Sequence, residues 1–174
     1  SYPMFATPTA VGDKIVDMGF NVVSMSNNHV LDQGEEGLIS SLDYWDTKGI
    51  VHYGAYRSQE DADTIKTMEV NGIKFAFLGY MEHTNGNYLS GDGAQVIYLE
   101  DEDKIKSQIE EADKMADVVV VSCHYGTEIQ NELNEQQTEI TPKLVEWGAD
   151  LIIGTQAHTI STCEYLDKPD GGQA

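Results

Sequence analysis

The sequence predicts an α/β domain built around a mixed sheet. Helical and strand-like patterns alternate at both ends of the chain, as in folds that pack helices on a largely parallel sheet. Between them, two β-rich runs are joined by Asn71 and Gly72, a pair that strongly favours an antiparallel hairpin. The chain has 174 residues, 40% of them hydrophobic, which suits one domain with its own core. We therefore treat residues 1–174 as a single domain.

In the first half of the chain, apolar periodicity and glycines define the elements. Apolar residues at helical spacing predict a helix that ends at Gly19 and a second helix that ends at Gly49. Asn, Gly, Ser and Asp dominate residues 82–94, which predicts a long surface loop of a kind that is often functional. The predicted strands of this half are residues 20–25, 50–53, 65–70, 73–80 and 96–99.

The second half repeats this alternation of helix and strand. Residues 105–115 carry a helical apolar face, and the continuous apolar run at 117–123 is typical of a strand covered on both faces. The next helix extends to Trp147, and we expect Pro142 to break or restart it, with Thr141 capping the restarted piece. The remaining predicted elements are strands at 151–154 and 160–166 and a turn at 168–171.

Composition excludes several kinds of partner and site. The 30 acidic and 10 basic residues give a formal net charge of -20, which would repel a phosphate backbone, so we expect no nucleic-acid partner. No stretch has the length of a membrane span. Cys123 and Cys163 are too few for a disulfide framework; we favour two free thiols, and a single disulfide stays open. No G-x-S-x-G elbow, glycine-rich phosphate loop or C-x-x-C pair is present.

Three histidines, His29, His124 and His158, each follow an apolar, strand-like run. Ligands of open α/β sheets gather at the carboxyl ends of strands, and neutral imidazole is the commonest ligand for first-row transition metals. Each histidine alone is best interpreted as a loop residue bonded to backbone, but the three together predict one polar, metal-binding site. His83, after another strand, is a weaker fourth candidate, and His52, without polar neighbours, is expected to be structural.

Polar residues beside these histidines extend the predicted site. Asn28 precedes His29, and Asp32 is expected either to orient the His29 ring, as carboxylates behind metal-bound histidines do, or to be an ordinary turn residue. Glu128 is a candidate general acid or base or a metal ligand, with a solvated loop carboxylate as the alternative. Gln156 supplies an amide as an oxygen ligand or as a hydrogen-bonding partner.

Three ordered segments resemble the motifs of a known family. They are, in order, GFNVVSMSNNHVLDQG at residues 19–34, HYGTE at 124–128 and GADLIIGTQAH at 148–158. Together they are similar to the successive motifs of the bacterial CapA family, which is named for poly-γ-glutamate capsule biosynthesis, and the resemblance spans nearly the whole chain. The domain of that family resembles the calcineurin-like metallophosphoesterases, which hold two metal ions at the ends of a β-sandwich flanked by helices. The resemblance therefore implies a sandwich of this kind.

The resemblance also implies roles for individual residues. Asn28 and His29 match an Asn-His motif that contacts metal and substrate phosphate in the phosphoesterases. His124 matches their isolated metal-binding histidine, and His158 matches the last histidine of a Gly-His-x-His motif. Gln156 stands where that motif has its first histidine; because a carboxamide is a poorer transition-metal ligand than imidazole, one metal position is expected to be weak or altered. These five residues are the expected metal ligands.

The resemblance further implies a partial domain. The family's Gly-Asp motif and its Asn-Leu-Glu segment have no counterpart before Ser1, and its Ser-Leu-Gly-Asn-Phe segment would lie beyond Ala174. We therefore expect a CapA-like domain that is incomplete at both ends. Without those acidic ligands, the chain alone is expected to bind metal weakly or not at all.

Two functions follow from this interpretation. The first is a metal-dependent hydrolase-like domain in poly-γ-glutamate synthesis, export or processing, with Asn28, His29 and Glu128 as catalytic candidates and Mn, Fe or Zn as the divalent metal. The second is a non-catalytic accessory or scaffold subunit with a vestigial metal site, which Gln156 favours. The expected partners are poly-γ-glutamate or its precursor and other membrane capsule-synthesis subunits. The expected place is the extracellular face of the cell membrane, with an anchoring segment outside this chain.

Overall fold

The computed structural model describes residues 4–174. In that part of the chain the elements are, in order, α1 (Thr9–Asp17), β1 (Val22–Ser24), α2 (Gly34–Lys48), β2 (Val51–Tyr53), α3 (Gln59–Asp63), β3 (Lys66–Val70), β4 (Ile73–Met81), α4 (Glu102–Met115), β5 (Val118–Tyr125), α5 (Glu135–Trp147) and β6 (Leu151–Gln156).

The strands form two sheets. The larger sheet has the order β3-β4-β5-β6, in which β3 runs antiparallel to β4 and the other neighbours are parallel. Strands β1 and β2 form a small parallel sheet. A helix lies between each pair of parallel neighbours along the chain, because parallel strands need a long crossover connection. The predicted α/β class with a mixed sheet is therefore confirmed.

Side chains of β4 and β5 alternate between two apolar clusters. Leu78 and Val121 belong to the cluster that α4 and α5 cover, whereas Phe77 and Val120 pack with Tyr53 of β2. A strand that is buried on both faces requires apolar residues at every position, which explains the continuous apolar run in β5. The small sheet therefore packs on one face of the large sheet, and α4 and α5 pack on the other.

Helix α2 covers the outer face of the small sheet. Its Leu38, Leu42 and Trp45 pack with Met25 and Ile50 in a third apolar cluster. The layers therefore run from α2 through the small sheet and the large sheet to α4 and α5. This is a two-sheet sandwich flanked by helices.

Two glycines allow the sheets to approach closely near their carboxyl ends. A Cβ atom on Gly79 of β4 would lie 2.9 Å from the Gly54 Cα atom and 2.9 Å from the Ser26 Oγ atom. Gly54 has a φ of +89°, which favours glycine, and a Cβ atom there would lie 2.7 Å from the Ser26 amide nitrogen. The close approach brings the loop after β1, residues 25–33, against the end of β4.

The predicted turns and helix ends are present. Asn71 and Gly72 have φ of 53° and 80°, the left-handed pair that a two-residue hairpin turn needs. Gly49 ends α2 in the left-handed conformation. In the last turn, the Gly171 amide donates to the Lys168 carbonyl at 3.1 Å.

Helix α5 is continuous through Pro142, so the predicted break there is wrong. The helix begins instead at Glu135, and the preceding Asn134 caps it with a capping box. Proline removes one hydrogen bond from a helix, but Ile140 and Leu144 on either side of it are buried in the core and hold the helix together. Thr141 caps nothing, since its hydroxyl pairs with a tyrosine hydroxyl of β5 at 2.9 Å.

Two predicted strands are not formed in the described part of the chain. Residues 96–99 do not pair along their length with another strand; Tyr98 makes only an isolated bridge to Met81 of β4. Residues 160–166 form no strand, and Ile160 and Tyr165 are 94% and 82% exposed. Alternating residues make a strand only where a neighbour supplies hydrogen bonds and an apolar face. The five-residue helix α3, capped by Ser58, is too short to give a periodic signal.

Neither a disulfide nor a membrane-spanning helix is present in residues 4–174. Both cysteines are free, Cys123 buried in the core and Cys163 exposed. None of the helices in this range is long and apolar enough to cross a membrane.

Candidate functional site

The carboxyl ends of β4, β5 and β6 lie side by side and form the floor of the candidate site. His124 of β5 is in register with Thr155 of β6 and with the last residue of β4. His124 and Val120 are four residues apart, so both face the small sheet. His124 therefore faces the loop after β1, which carries Asn28 and His29.

Hydrogen bonds at both nitrogens hold the His124 ring. Its Nε2 atom lies 3.1 Å from Asn28 Oδ1, and its Nδ1 atom lies 2.7 Å from Thr155 Oγ1. Because an amide oxygen only accepts, Nε2 of the neutral ring carries the proton, and Nδ1 accepts from the Thr155 hydroxyl. A hydroxyl can also accept, so Thr155 can support the opposite tautomer, in which Nε2 presents its lone pair. Asn28 therefore selects the tautomer that is protonated at Nε2, whereas Thr155 alone would allow either.

Burial lowers the pKa of His124 to about 4, because the half-buried ring loses the water that would solvate its charged form. The Gln156 carboxamide opposes this shift, while the nearby imidazoles of His83, His158 and His29 lower the pKa further. His124 is therefore neutral near physiological pH, which is the form in which imidazole binds metals. Three of the other four histidines therefore lie near enough to His124 to disfavour its charged form.

His29 is oriented by a buried carboxylate. Its Nδ1 atom lies 2.8 Å from Asp32 Oδ2, and Asp32 is 3% exposed. Because a carboxylate accepts, Nδ1 carries the proton, and the lone pair of the ring is on Nε2. The Phe5 amide donates to the same Asp32 oxygen at 2.7 Å, and the Phe5 ring lies edge-on to His29. The hydrogen bond expected of an orienting Asp32 is present.

Asn28 is 7% exposed and connects two loops. Its Oδ1 atom accepts from His124, and its Nδ2 atom donates to Asn85 Oδ1 at 3.2 Å. Asn85 belongs to loop 82–94, so the loops after β1 and β4 meet above the end of β5. Sequence reasoning missed Asn85 and Thr155 as partners of the site residues. Asn85 precedes a glycine, which indicates only a turn, and Thr155 looks like an ordinary strand residue.

Gln156 ends β6 in a strained backbone conformation. Its φ is +98°, in a region that costs a residue other than glycine about 1–2 kcal/mol, and its side chain is buried. Its Nε2 atom donates to Glu128 Oε1 at 3.3 Å. Its Oε1 atom is buried and has no hydrogen bond of ordinary geometry within residues 4–174, although the carboxamide lies near enough to His124 to raise the pKa of that ring. A buried acceptor without a donor is costly, and a bound cation would satisfy it. Glu128 is exposed at the rim.

The other histidines have different settings. His158, with a φ of 57°, and His83 are exposed at the rim of the site, where His83 Nδ1 accepts from the Asn85 amide at 3.4 Å. His52 of β2 is buried, and its Nε2 atom pairs with Asp46 Oδ1 of α2 at 2.8 Å. The expected lack of polar neighbours is therefore wrong, since His52 pairs with Asp46, and this pair is part of the packing between β2 and α2.

The side chains at this edge include nitrogen and oxygen atoms of the kinds that bind divalent metals. The acidic and imidazole side chains by themselves do not form a metal site. Among the described residues, no group of three or more His, Cys, Asp or Glu side chains is arranged to hold a metal ion. The donors around His124 also include the amides of Asn28 and Gln156. Imidazole nitrogen suits Fe and Zn, and carbonyl oxygen suits Mn. The unsatisfied Gln156 Oε1 atom fits such a ligand, so a metal ion here would bind to a mixed imidazole and amide set.

The fold and the candidate site together define a class: α/β sandwich proteins with a cluster of histidine and amide side chains at the carboxyl ends of their strands, where such folds bind ligands. Within this class, the chain belongs to the family described as bacterial capsule synthesis protein PGA_cap, which it matches over residues 1–169. The resemblance to the CapA family is thereby confirmed.

Relatives with curated names point the same way. The chain is similar to the PGA biosynthesis protein CapA of Bacillus subtilis (strain 168), with 31% identity over 152 residues, which are 87% of this chain and 40% of that protein. It is 26% identical over 158 residues to the capsule biosynthesis protein CapA of Bacillus anthracis, covering 88% of this chain and 38% of that protein. The chain thus spans about two fifths of the length of these relatives.

Proposed function

We propose that this chain is part of a metal-dependent hydrolase domain that takes part in the synthesis, export or processing of poly-γ-glutamate at the bacterial cell surface. The observation that carries the proposal is the neutral His124 ring, held between Asn28 and Thr155 at the end of β5 with three further imidazoles around it. The family and the names of its CapA relatives support the choice of polymer.

The proposed metal ligands come from three strand ends. His29, His124 and His158 would supply nitrogen, and Asn28 and Gln156 would supply amide oxygen, to Mn, Fe or Zn. When bound, a divalent ion of this kind polarises the scissile bond and activates a water molecule.

The chain's own side chains would orient the reactants and move protons. Asp32 fixes the His29 ring through Nδ1, so that Nε2 faces the site in one orientation. Glu128 is held at the rim by the Gln156 amide and remains open to solvent, where it could accept a proton from an attacking water. Hydrogen bonds between side chains therefore hold His29 and Glu128 in place before substrate arrives.

We also propose that the protein works beside other membrane subunits of capsule synthesis and is anchored by a segment outside this chain. Its formal net charge of -20 would repel poly-γ-glutamate, which is itself a polyanion. Divalent cations between protein and polymer would offset that repulsion. A requirement for such cations therefore suits both the surface and the site.

A non-catalytic scaffold role is the second candidate. Two observations favour it: no three acidic or imidazole side chains in residues 4–174 form a ligand group, and Gln156 replaces a histidine that the phosphoesterase motif contains. A domain in this role would keep the fold and the hydrogen bonds of the site without turnover.

A hydrolysis screen of the full-length protein distinguishes the two candidates. The protein, supplied with Mn²⁺ or Zn²⁺, is offered phosphoesters and γ-glutamyl peptides. We expect hydrolysis of one of these classes, reduced about 100-fold or more by His124→Ala and by Glu128→Gln. His52→Gln, which changes a histidine outside the site, should keep the activity. If neither class is hydrolysed, or if His124→Ala is as active as the wild type, the hydrolase proposal fails and the scaffold role is favoured.

A further inference from the structure

The loop after β4 is fixed in place at its tip. The Asn87 amide donates to the Thr84 carbonyl at 2.9 Å, and the two residues between them, Asn85 and Gly86, have φ of 53° and 78°. This is a tight turn with two left-handed positions. The Thr84 side chain is 1% exposed, and its hydroxyl pairs with the Tyr98 hydroxyl at 2.8 Å. The turn is thus attached to the body of the protein, and Asn85 has a defined position.

From this position the Asn85 side chain reaches two residues of the site. Its Oδ1 atom accepts from Asn28 Nδ2 at 3.2 Å, and its Nδ2 atom lies 3.4 Å from His29 Nδ1. His29 Nδ1 already donates its proton to Asp32 at 2.8 Å, so it has no lone pair to offer a second donor. The hydrogen bond to Asn28 is therefore the one that Asn85 contributes.

That hydrogen bond decides which end of the Asn28 amide faces His124. An amide offers an acceptor at one end and donors at the other. With Nδ2 occupied by Asn85, the Oδ1 end faces His124 Nε2 and selects the tautomer that is protonated there. Without Asn85, the Asn28 amide could turn over and donate to Nε2 instead. A chain of side-chain hydrogen bonds thus connects Asn85 through Asn28 and His124 to Thr155.

We propose that Asn85 is a positioning residue of this site, which fixes the Asn28 carboxamide and, through it, the orientation and tautomer of His124. The consequence for metal binding rests on the proposed function; the consequence for the His124 ring does not.

Two substitutions of Asn85 and one control test this proposal in the full-length protein. Asn85→Gly removes the side chain and tolerates the left-handed backbone, whereas Asn85→Asp keeps an acceptor oxygen and tolerates the same backbone. Asn87→Ala, in the same turn, removes a side chain of similar size that makes no hydrogen bond to the site residues. The readouts are the ring-nitrogen chemical shifts of His124, measured by NMR of histidine-labelled protein, and the affinity for Mn²⁺ alone.

We expect Asn85→Gly to change the His124 ring-nitrogen shifts, because the Asn28 amide is then free to turn over. It should also weaken Mn²⁺ binding about 10-fold, because the Asn28 Oδ1 atom, a proposed ligand, loses the partner that orients it. Asn85→Asp and Asn87→Ala should resemble the wild type in both readouts. If Asn85→Gly leaves the His124 shifts unchanged, or if Asn85→Asp changes them as much as Asn85→Gly does, the proposal is overturned. If the wild-type protein binds no Mn²⁺, the proposed function fails, while the His124 shifts still decide the role of Asn85.

Discussion

At the scale of single residues, the site depends on how His124 is held. Thr155 contributes a hydroxyl that can donate to Nδ1 or accept from it, so it supports the ring in either tautomer. Asn28, by contrast, occupies Nε2, the atom that the alternative tautomer presents to a ligand. Substitutions of Thr155 and of Asn28 should therefore affect the His124 ring in different ways.

Thr155→Val keeps the shape of the residue and removes its hydroxyl. Nδ1 of His124 then loses its partner, and we expect the affinity of the full-length protein for Mn²⁺, measured by titration calorimetry, to fall about 10-fold. Thr155→Ser restores the hydroxyl and should restore the affinity. Binding by Thr155→Val that equals the wild type would show that the hydroxyl does not orient the ring.

The lowered pKa of His124 gives a pH dependence of stability. The pKa is about 4 in the folded protein and 6.5 in an unperturbed histidine, so between these values the unfolded chain binds more protons than the folded one. The free energy of unfolding should therefore fall as the pH decreases from about 6.5 to about 4. Urea unfolding across this range should show a smaller decrease for His124→Gln than for the wild type. Equal decreases in the two proteins would contradict the lowered pKa.

Sequence alone predicted the residues of the site only where a local pattern marks them. His29, His124 and His158 stand out because each follows an apolar run, and Asp32 because it lies three residues from a histidine. Asn85 carries no such mark, since its partner Asn28 is 57 residues away in the chain. Its role depends on how two distant loops meet, and local patterns do not contain that information.

At the scale of elements, the successful predictions are those with a local cause. The Asn71 and Gly72 hairpin and the glycine at the end of α2 each need only a left-handed backbone position, which the residue type supplies. The strands predicted at 96–99 and 160–166 fail because a strand needs a neighbour. The break predicted at Pro142 fails because burial of the surrounding helix outweighs one lost hydrogen bond.

The close approach of the two sheets makes Gly79 sensitive to any side chain. A Cβ atom there would lie 2.9 Å from the Gly54 Cα atom, so the backbone at Gly79 or at Gly54 must move. We expect Gly79→Ala to lower the free energy of unfolding by about 1–3 kcal/mol, measured by urea unfolding of the full-length protein. It should also weaken Mn²⁺ binding, because the loop after β1 rests on this contact. A stability within about 0.5 kcal/mol of the wild type would mean that the sheets are not held this closely.

At the scale of the whole molecule, the sandwich explains how distant residues form one site. Residues 29 and 158 lie near opposite ends of the chain, yet both follow strands whose carboxyl ends reach the same edge. The α/β class was predictable from alternating patterns, and the resemblance implied the sandwich. The order of the layers was not predictable from periodicity, because it depends on which apolar faces meet across the two sheets.

Metal content of the full-length protein tests the central claim most directly. The protein is purified without chelators, and Mn, Fe and Zn per chain are measured by mass spectrometry for the wild type, His124→Ala and His52→Gln. We expect a near-stoichiometric divalent metal in the wild type and in His52→Gln and a clear loss in His124→Ala. A wild-type protein without these metals, or His124→Ala with the full content, would contradict a metal site at the ends of β4, β5 and β6.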